Sequence, residues 1–232
     1  MIDTLTFAFQ PIVDLTMHTV FSHEALIRGV GGAGAYEALA TLQQVPIEEM
    51  APLYAKLFAL ATRVHIASGL NFNLTPQQLS TSEVVAAAVV AAAEAHQIAP
   101  EQLIAEVTES QSVADPVRFS RSVNILRAHG LRIAIDDFGA GYSGLNLLVD
   151  FQPDLLKLDM HLVRGIDRHG PRQAIVRGIA VACEDLGIDV IAEGVETVEE
   201  LRFLQSVGIH LYQGYLFARP SVELLPEPVF PA

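Results

Sequence analysis

Acidic and amide side chains, together with one lysine, recur at the ends of short apolar segments that are typical of β-strands. They are Glu24, Asn73, Glu106, Glu109, Asp136, Asp137, Lys157, Asp159, Glu193, Glu196 and Gln213. If these strands run parallel in a barrel, their carboxyl ends meet on one face, which is where barrel active sites are built. The pattern therefore predicts a single mouth that holds several carboxylates and one lysine.

A mouth of this composition requires compensating positive charge, because uncompensated carboxylates at close range repel one another. Ligands that are all oxygen suit Mg²⁺ or Mn²⁺, whereas zinc prefers cysteine and histidine. The adjacent pair Asp136–Asp137 would serve two metals, with one side chain bridging them. Two metals about 4 Å apart stabilise in-line attack on a phosphoryl centre. Lys157 would hold the attacking water or neutralise developing charge.

The segments that carry these residues alternate between strand-like and helix-like patterns. The predicted strands are Phe7–Val13, Val20–Ile27, Leu70–Leu74, Leu103–Val107, Arg132–Ile135, Leu155–Leu158, Asp189–Ala192 and His210–Tyr212. The predicted helices are Ile47–Ser68, Ser82–His96, Pro116–Ala128, Gln173–Leu186 and Thr197–Val207. This order favours a parallel barrel or a doubly wound sheet. The turn at Thr16–Thr19 is too short for a crossover helix, so the first two strands should pair antiparallel. We therefore predict an α/β fold, a modified (β/α)8 barrel with one antiparallel strand.

Length and composition are compatible with one such barrel. The chain has 232 residues, and its 51% hydrophobic and 18% charged content excludes disorder. A net charge of −13 argues against binding to duplex nucleic acid. The single cysteine, Cys183, precludes an internal disulfide, and no secretory signal or membrane-spanning run is found, so a cytoplasmic location is expected. We expect one domain over residues 1–232, with a frayed tail over 225–232.

Other motifs carry less weight. Residues 29–34 match G-x-G-x-x-G, but no strand ending in an acid follows at the distance that a dinucleotide site needs, so a loop is predicted. Ser143 has no neighbouring base and no nucleophile elbow. Each acidic motif, taken alone, is more often a surface or capping feature. The ordered recurrence of the acids at successive strand ends carries the functional argument.

The ordered motifs resemble those of the EAL-domain phosphodiesterases of bacteria, which hydrolyse cyclic di-GMP to linear pGpG. The matching segments are QPIVDL, EALIR, NFNLTPQQL, EVTES, DDFGAGYSGL, LKLD, AEGVET and YQGYLFARP, and they extend over essentially the whole chain. The fold of this family is a barrel with one antiparallel strand, which agrees with the topology inferred from the short turn.

The resemblance implies a role for each matched residue. Ligands of two divalent cations, Mg²⁺ or Mn²⁺, would be Glu24, Asn73, Glu106, Asp136, Asp137 and Glu193, with Asp136 bridging. Lys157, Glu193 and Gln213 would be catalytic and would hold or support the nucleophilic water. Arg28 and Gln10 would contact the substrate. Glu109 would pin the loop 138–144, which couples the metal site to dimerisation in this family, and Asp159 and Glu196 would orient their neighbours. A homodimer is implied as well.

Two departures from the family pattern and two alternative functions accompany the resemblance. Gly29 stands where many members have tryptophan, and Gly144 stands where many have a second serine. The glycine at position 144 would loosen the loop 138–144. A non-catalytic module that binds cyclic di-GMP or a protein is the first alternative, although such members have usually lost several acids or the lysine. An unrelated Mg²⁺-dependent lyase with Lys157 as its base is the second.

Overall fold

Eight strands close into a barrel, and a ninth short strand lies beside it. A computed structural model describes residues 2–31, 34–42, 44–81, 83–108, 115–140, 148 and 152–231. The strands are β1 (Leu5–Asp14), β2 (Thr19–Gly29), β3 (Gly69–Asn73), β4 (Leu103–Thr108), β5 (Arg132–Phe138), β6 (Leu155–Leu158), β7 (Asp189–Ala192), β8 (Leu211–Tyr212) and β9 (Ser221–Val222). They match the predicted segments to within a few residues at each end, except for β9, which was not predicted.

The strand order confirms the predicted topology. Neighbouring strands follow the order β2-β3-β4-β5-β6-β7-β8-β1, and β1 also pairs with β2, which closes the barrel. Strand β1 is antiparallel to both β2 and β8, whereas every pair from β2 to β8 is parallel. The carboxyl ends of β2 to β8 therefore lie at the same end of the barrel.

Helices surround the barrel between the strands. They are α1 (Ala35–Leu42), α2 (Ala51–Arg63), α3 (Pro76–Thr81), α4 (Glu83–Ala95), α5 (Pro116–Ala128), α6 (Met160–Val163), α7 (Gly170–Leu186) and α8 (Val198–Ser206). Short 3-10 turns occupy Ile2–Thr4, Ile47–Glu49, Pro100–Gln102 and Ile166–Arg168. Within the described ranges, no helix is long and apolar enough to cross a membrane.

Several helical regions differ from the sequence-based expectation, and the short helices α3 and α6 were not predicted. Helix α1 follows a glycine-rich segment and was not predicted, because the glycines at 29–34 indicate a loop rather than the start of a helix. The predicted helix Ile47–Ser68 is divided into the 3-10 turn and α2, which ends at Arg63. Pro52 lies in the first turn of α2, where its missing N–H costs no helical hydrogen bond.

The C-terminal segment packs on the barrel, although it was expected to be frayed. Strand β9 pairs with β1 at Ala8 and Phe9, whereas β8 reaches β1 only at Val13 and Asp14. The backbone N–H of Val229 donates to the carbonyl of Phe217 at 2.9 Å, and Phe230 packs against the core cluster. The segment is irregular, as expected from its prolines. Leu225 and Phe230 pack against the core, whereas Val229 is 64% exposed.

Candidate active site and metal centre

Lys157 lies at the centre of the acidic cluster. Its Nζ is 2.7 Å from Oε1 of Glu193, 2.8 Å from Oε1 of Glu106, 2.9 Å from Oδ1 of Asp136 and 3.5 Å from Oε2 of Glu24. These four acids come from β2, β4, β5 and the end of β7, and Lys157 comes from β6. The strand ends thus converge as the sequence predicted, and one ammonium group faces four carboxylates.

Buried amides surround the carboxylates. Nε2 of Gln213 donates to Oε2 of Glu24 at 2.6 Å and to Oε1 of Gln10 at 3.2 Å. Nε2 of Gln10 donates in turn to the carbonyl of Ala218 at 3.0 Å. Nδ2 of Asn71 donates to Oε1 of Glu106 at 2.8 Å. These hydrogen bonds hold the carboxylate planes in place, and they connect the site to the loop after β8.

An irregularity in β5 brings Asp137 to the same mouth as Asp136. Successive residues of a regular strand point to opposite faces, so both aspartates could not enter the mouth from an unbroken strand. The pairing of β5 with β6 shifts register between Ile135 and Phe138, and Asp137 has a φ of 56°. This left-handed backbone, which aspartate tolerates better than most residues, turns the second carboxylate back toward the first.

Two overlapping groups of acids have the spacing of metal ligands. Oxygen atoms of Glu24, Glu106 and Asp136 lie within 4.8 Å of one another, and so do those of Asp136, Asp137 and Glu193. Oε2 of Glu106 is buried and accepts no hydrogen bond from the part of the chain that the structure describes. An all-oxygen donor set with a free buried carboxylate oxygen fits hard divalent cations.

The electrostatics of the cluster also favour added cations. Burial, together with Glu24 and Asp136, raises the pKa of Glu106 well above its ordinary value, although Lys157 opposes this shift. Burial likewise raises the pKa of Glu193. Burial and the neighbouring Asp136 raise the pKa of Asp137 to about 6. Burial alone would lower the pKa of Lys157, but the four carboxylates outweigh it and raise that pKa. One lysine is therefore too little positive charge for the ionised cluster.

Part of the cluster, namely Glu24, Asp136, Asp137 and Glu193, forms the floor of a cavity of about 620 Å³, a size typical of small-molecule sites. Arg28, Asn73, Asp159 and Glu196 line its walls, as does Gln10. The guanidinium of Arg28 donates to the carbonyl of Ile27 at 2.8 Å. The cavity therefore combines an acidic floor with one arginine on β2, which is an arrangement that accommodates a phosphate ester once cations are bound.

Several predicted residues lie outside the contacts around Lys157, among them Asp159, Glu196 and Asn73. Asp159 caps α6 and accepts from Nδ1 of His161 at 2.6 Å, and Glu196 pairs with Arg164 at 2.5 Å. Asn73 lines the cavity wall as the last residue of β3. Glu109 and Gly144 lie outside the described residues, and so does most of the loop 138–144.

Sequence reasoning did not single out Asn71 or Tyr54. Asn71 was identifiable in principle, because it precedes Asn73 by two residues and a strand places both amides on one face. Tyr54 lines the cavity from α2, and nothing in its sequence context indicates this position. Both contributions depend on neighbours that are distant along the chain.

Gly214 is required for the loop that carries Gln213. A Cβ atom at this position would lie 2.0 Å from the carbonyl oxygen of Val195. The backbone N–H of Val195 donates to the carbonyl of Gln213 at 3.1 Å, so neither backbone can move freely. We expect Gly214→Ala to lower the free energy of unfolding by about 1–3 kcal/mol, the usual cost of overpacking, as measured by urea denaturation.

The matched control for this substitution is Gly178→Ala in the middle of α7. A Cβ there meets open space, so alanine should stabilise the helix by about 0.5–1 kcal/mol. Equal stability of the Gly214→Ala variant and the unmodified protein would contradict the close approach of the two loops.

Comparison with known proteins assigns the family. Residues 2–220 match the model of the EAL domain, and the chain therefore belongs to the EAL domain family. Among curated proteins, it is 35% identical over 229 residues to the blue light- and temperature-regulated antirepressor BluF of Escherichia coli, covering 97% of this chain and 56% of BluF. It is 34% identical over 178 residues to the cyclic di-GMP phosphodiesterase RocR of Pseudomonas aeruginosa, covering 74% of this chain and 45% of RocR. The chain thus spans about half the length of these relatives.

Solved structures share the fold. A standalone EAL protein from Vibrio cholerae O395, in its c-di-GMP-bound form, has a TM-score of 0.88 at 36% identity, covering 97% of this chain and 95% of that one. A manganese and cyclic di-GMP complex of Klebsiella pneumoniae BlrP1 has a TM-score of 0.90 at 42% identity, covering 97% of this chain and 59% of that one. These neighbours confirm the modified barrel.

Proposed function

We propose that this protein is a phosphodiesterase that hydrolyses cyclic di-GMP to linear pGpG with the help of two divalent cations, Mg²⁺ or Mn²⁺. The observation that carries the proposal is the complete acidic cluster around Lys157, with two ligand groups that share Asp136. Relatives named as cyclic di-GMP phosphodiesterases and structural neighbours that hold cyclic di-GMP support the choice of substrate.

The proposed ligands of the cations are Glu24, Asn73, Glu106, Asp136, Asp137 and Glu193. When bound, such ions supply positive charge for the phosphodiester and increase the acidity of water. Lys157 holds the water by hydrogen bonding, and Glu193 accepts its proton. The water oxygen bonds to phosphorus as the bond from phosphorus to the ribose 3′ oxygen breaks, and the leaving oxygen takes a proton from solvent water. Gln213 orients the water through its contact with Glu24, while Arg28 and Gln10 contact the substrate.

Removal of metal is the first test of this function. Purified protein is incubated with cyclic di-GMP and Mg²⁺ or Mn²⁺, with or without EDTA, and the products are separated by chromatography. We expect pGpG only when a divalent cation is available, and we expect readdition of the cation to restore turnover. Undiminished pGpG formation by protein freed of metal would contradict the proposed cation sites.

A protein-binding role is the second candidate, because the chain is 35% identical to the antirepressor BluF over 97% of its length. The same experiment separates the two functions. If calorimetry shows saturable binding of cyclic di-GMP but no pGpG is formed, the protein is a receptor for the nucleotide. If the protein neither binds nor cleaves cyclic di-GMP, a role in binding another protein is favoured. The retained lysine and acids favour catalysis, because a receptor has no need of a nucleophile-holding cluster.

The proposal extends to organisation and location. We propose that residues 1–232 form a single EAL-type domain that acts as a homodimer in the cytoplasm. The family resemblance supports the dimer, and the single, buried Cys183 is compatible with a reducing compartment. Light scattering of the purified protein measures the oligomeric state directly.

A further inference from the structure

The barrel interior has a second layer of side chains directly beneath the mouth. Side chains two residues apart on a strand point to the same face, so each barrel strand places one residue in this layer, two positions from its residue in the mouth. Two of these residues are polar, namely Ser22 on β2 and Asn71 on β3, and both are fully buried. The others are apolar and form one buried cluster, which consists of Ile12, Ile104, Ala134, Leu155, Ile191 and Leu211.

The side-chain amide of Asn71 is only half satisfied in this layer. Its Nδ2 donates to Oε1 of Glu106 at 2.8 Å. Its Oδ1 is buried and has no hydrogen-bond partner in the part of the chain that the structure describes. A buried carbonyl oxygen without a partner lowers stability, and an apolar side chain on β3 would avoid this loss. The stability of the layer therefore does not explain why an asparagine occupies this position.

The hydrogen bond from Asn71 makes the two oxygens of Glu106 unequal. Oε1 accepts from the amide of Asn71 and also lies 2.8 Å from Nζ of Lys157. Oε2 is buried and has no hydrogen-bond partner among the described residues. Because Glu106 is 0% exposed, rotation of its carboxylate would break the contacts of Oε1 without offering them to water. One oxygen is thus held by two donors, and the other is left for a cation.

We propose that Asn71 is a positioning residue for one of the two cation sites, because it holds Oε1 of Glu106 and so keeps Oε2 available as a ligand atom. This inference rests on the proposed function. Glu106 belongs to the ligand group that contains Glu24, but it is absent from the group that contains Asp137. Residues that hydrogen-bond to metal ligands change metal affinity by about 10- to 100-fold. Loss of the Asn71 amide should therefore weaken one cation site and leave the other unchanged.

Calorimetric titration of the metal-free protein with Mn²⁺ tests this inference, and the variant is Asn71→Val. Valine suits a strand and has no polar atom, so it removes the hydrogen bond to Glu106 together with the unpaired oxygen. We expect the Kd for Mn²⁺ to rise about 10- to 100-fold at one site and to stay within about twofold at the other. Turnover of cyclic di-GMP should fall at limiting Mn²⁺ and recover at saturating Mn²⁺, because Asn71 acts only through Glu106.

Ser22→Ala is the matched control. Ser22 lies in the same layer on the neighbouring strand, and its hydroxyl is likewise buried without a hydrogen-bond partner among the described residues. The substitution therefore removes an unpaired polar atom from the layer without removing a hydrogen bond to a proposed metal ligand. Its Mn²⁺ affinity should match that of the unmodified protein at both sites.

Thermal denaturation in EDTA separates a positioning role from a structural one. Valine replaces a half-satisfied polar group within an apolar layer, so the metal-free Asn71→Val variant should melt no lower than the unmodified protein. Asn71→Ala is the second variant, because it removes the same hydrogen bond without adding a branched side chain to the layer. If both variants melt well below the unmodified protein in EDTA, Asn71 has a structural role in the core, and the inference is overturned.

The possible results separate failure of this inference from failure of the proposed function. If the unmodified protein binds Mn²⁺ at two sites and Asn71→Val matches it at both, the inference is overturned, while the cation sites stand. Equal weakening of both sites would also overturn it, because Glu106 belongs to only one ligand group. If the unmodified protein binds no divalent cation, the proposed function fails, and the inference fails with it.

Discussion

Replacing Lys157 with methionine is expected to lower the turnover of cyclic di-GMP steeply and to make the stability of the protein dependent on divalent cations. Lys157 is fully buried, and its ammonium group is within 3 Å of three carboxylates. Removing one partner of a buried ion pair typically costs about 3–5 kcal/mol, because the remaining charges are left uncompensated. Loss of the group that holds the water should reduce kcat by about 100- to 1000-fold, as for other positioned donors.

Two measurements separate the electrostatic effect from a general folding defect. Thermal denaturation of Lys157→Met in EDTA should show a large decrease in melting temperature, and Mn²⁺ should restore much of it by supplying the missing charge. Turnover should not be restored. Lys56→Met is the matched control, because Lys56 is the other lysine of the sequence and lies away from the acidic cluster, where it donates to the backbone carbonyls of Ile2 and Asp3. A Lys157→Met variant of normal stability in EDTA would show that the cluster is not held together by this charge.

The substitution Asp136→Asn is expected to have the second large effect. Asp136 belongs to both ligand groups, so the change from carboxylate to amide removes a charge from both proposed cation sites. Metal-derived charge stabilisation is worth several kcal/mol, and each 1.4 kcal/mol corresponds to tenfold in rate. We therefore expect turnover to fall by about 1000-fold or more and Mn²⁺ binding, measured by calorimetry, to weaken at both sites.

The control for this experiment is Asp189→Asn. Asp189 is exposed at the start of β7, at the opposite end of the barrel, and it should not affect metal binding. The substitution Asp136→Asn keeps the size of the side chain, and Lys157 keeps three other carboxylate partners. The variant should therefore remain folded. Full metal-dependent turnover by Asp136→Asn would contradict the assignment of the site.

The topology could be inferred from sequence because it depends on local patterns. The turn between β1 and β2 is too short for a crossover helix, which predicts antiparallel pairing, and the structure confirms it. The alternation of strand-like and helix-like segments is also a local pattern, and it predicts the other barrel strands. By contrast, α1 begins just after a glycine-rich segment, and β9 has only two residues, so neither has a local pattern strong enough to indicate it.

The sequence by itself determined which residues supply the chemistry and in what order they follow the strands, because residue types and their spacing are properties of the chain. Only the tertiary structure decided how they meet. Asp137 joins Asp136 in the mouth because its backbone is left-handed, which overrides the alternation of a regular strand. Lys157 faces four acids, and Tyr54 lines the same cavity from α2, because barrel closure and helix packing place residues far apart in sequence at contact distance. Such contacts depend on the three-dimensional packing of several elements, and no segment of the chain contains that information alone.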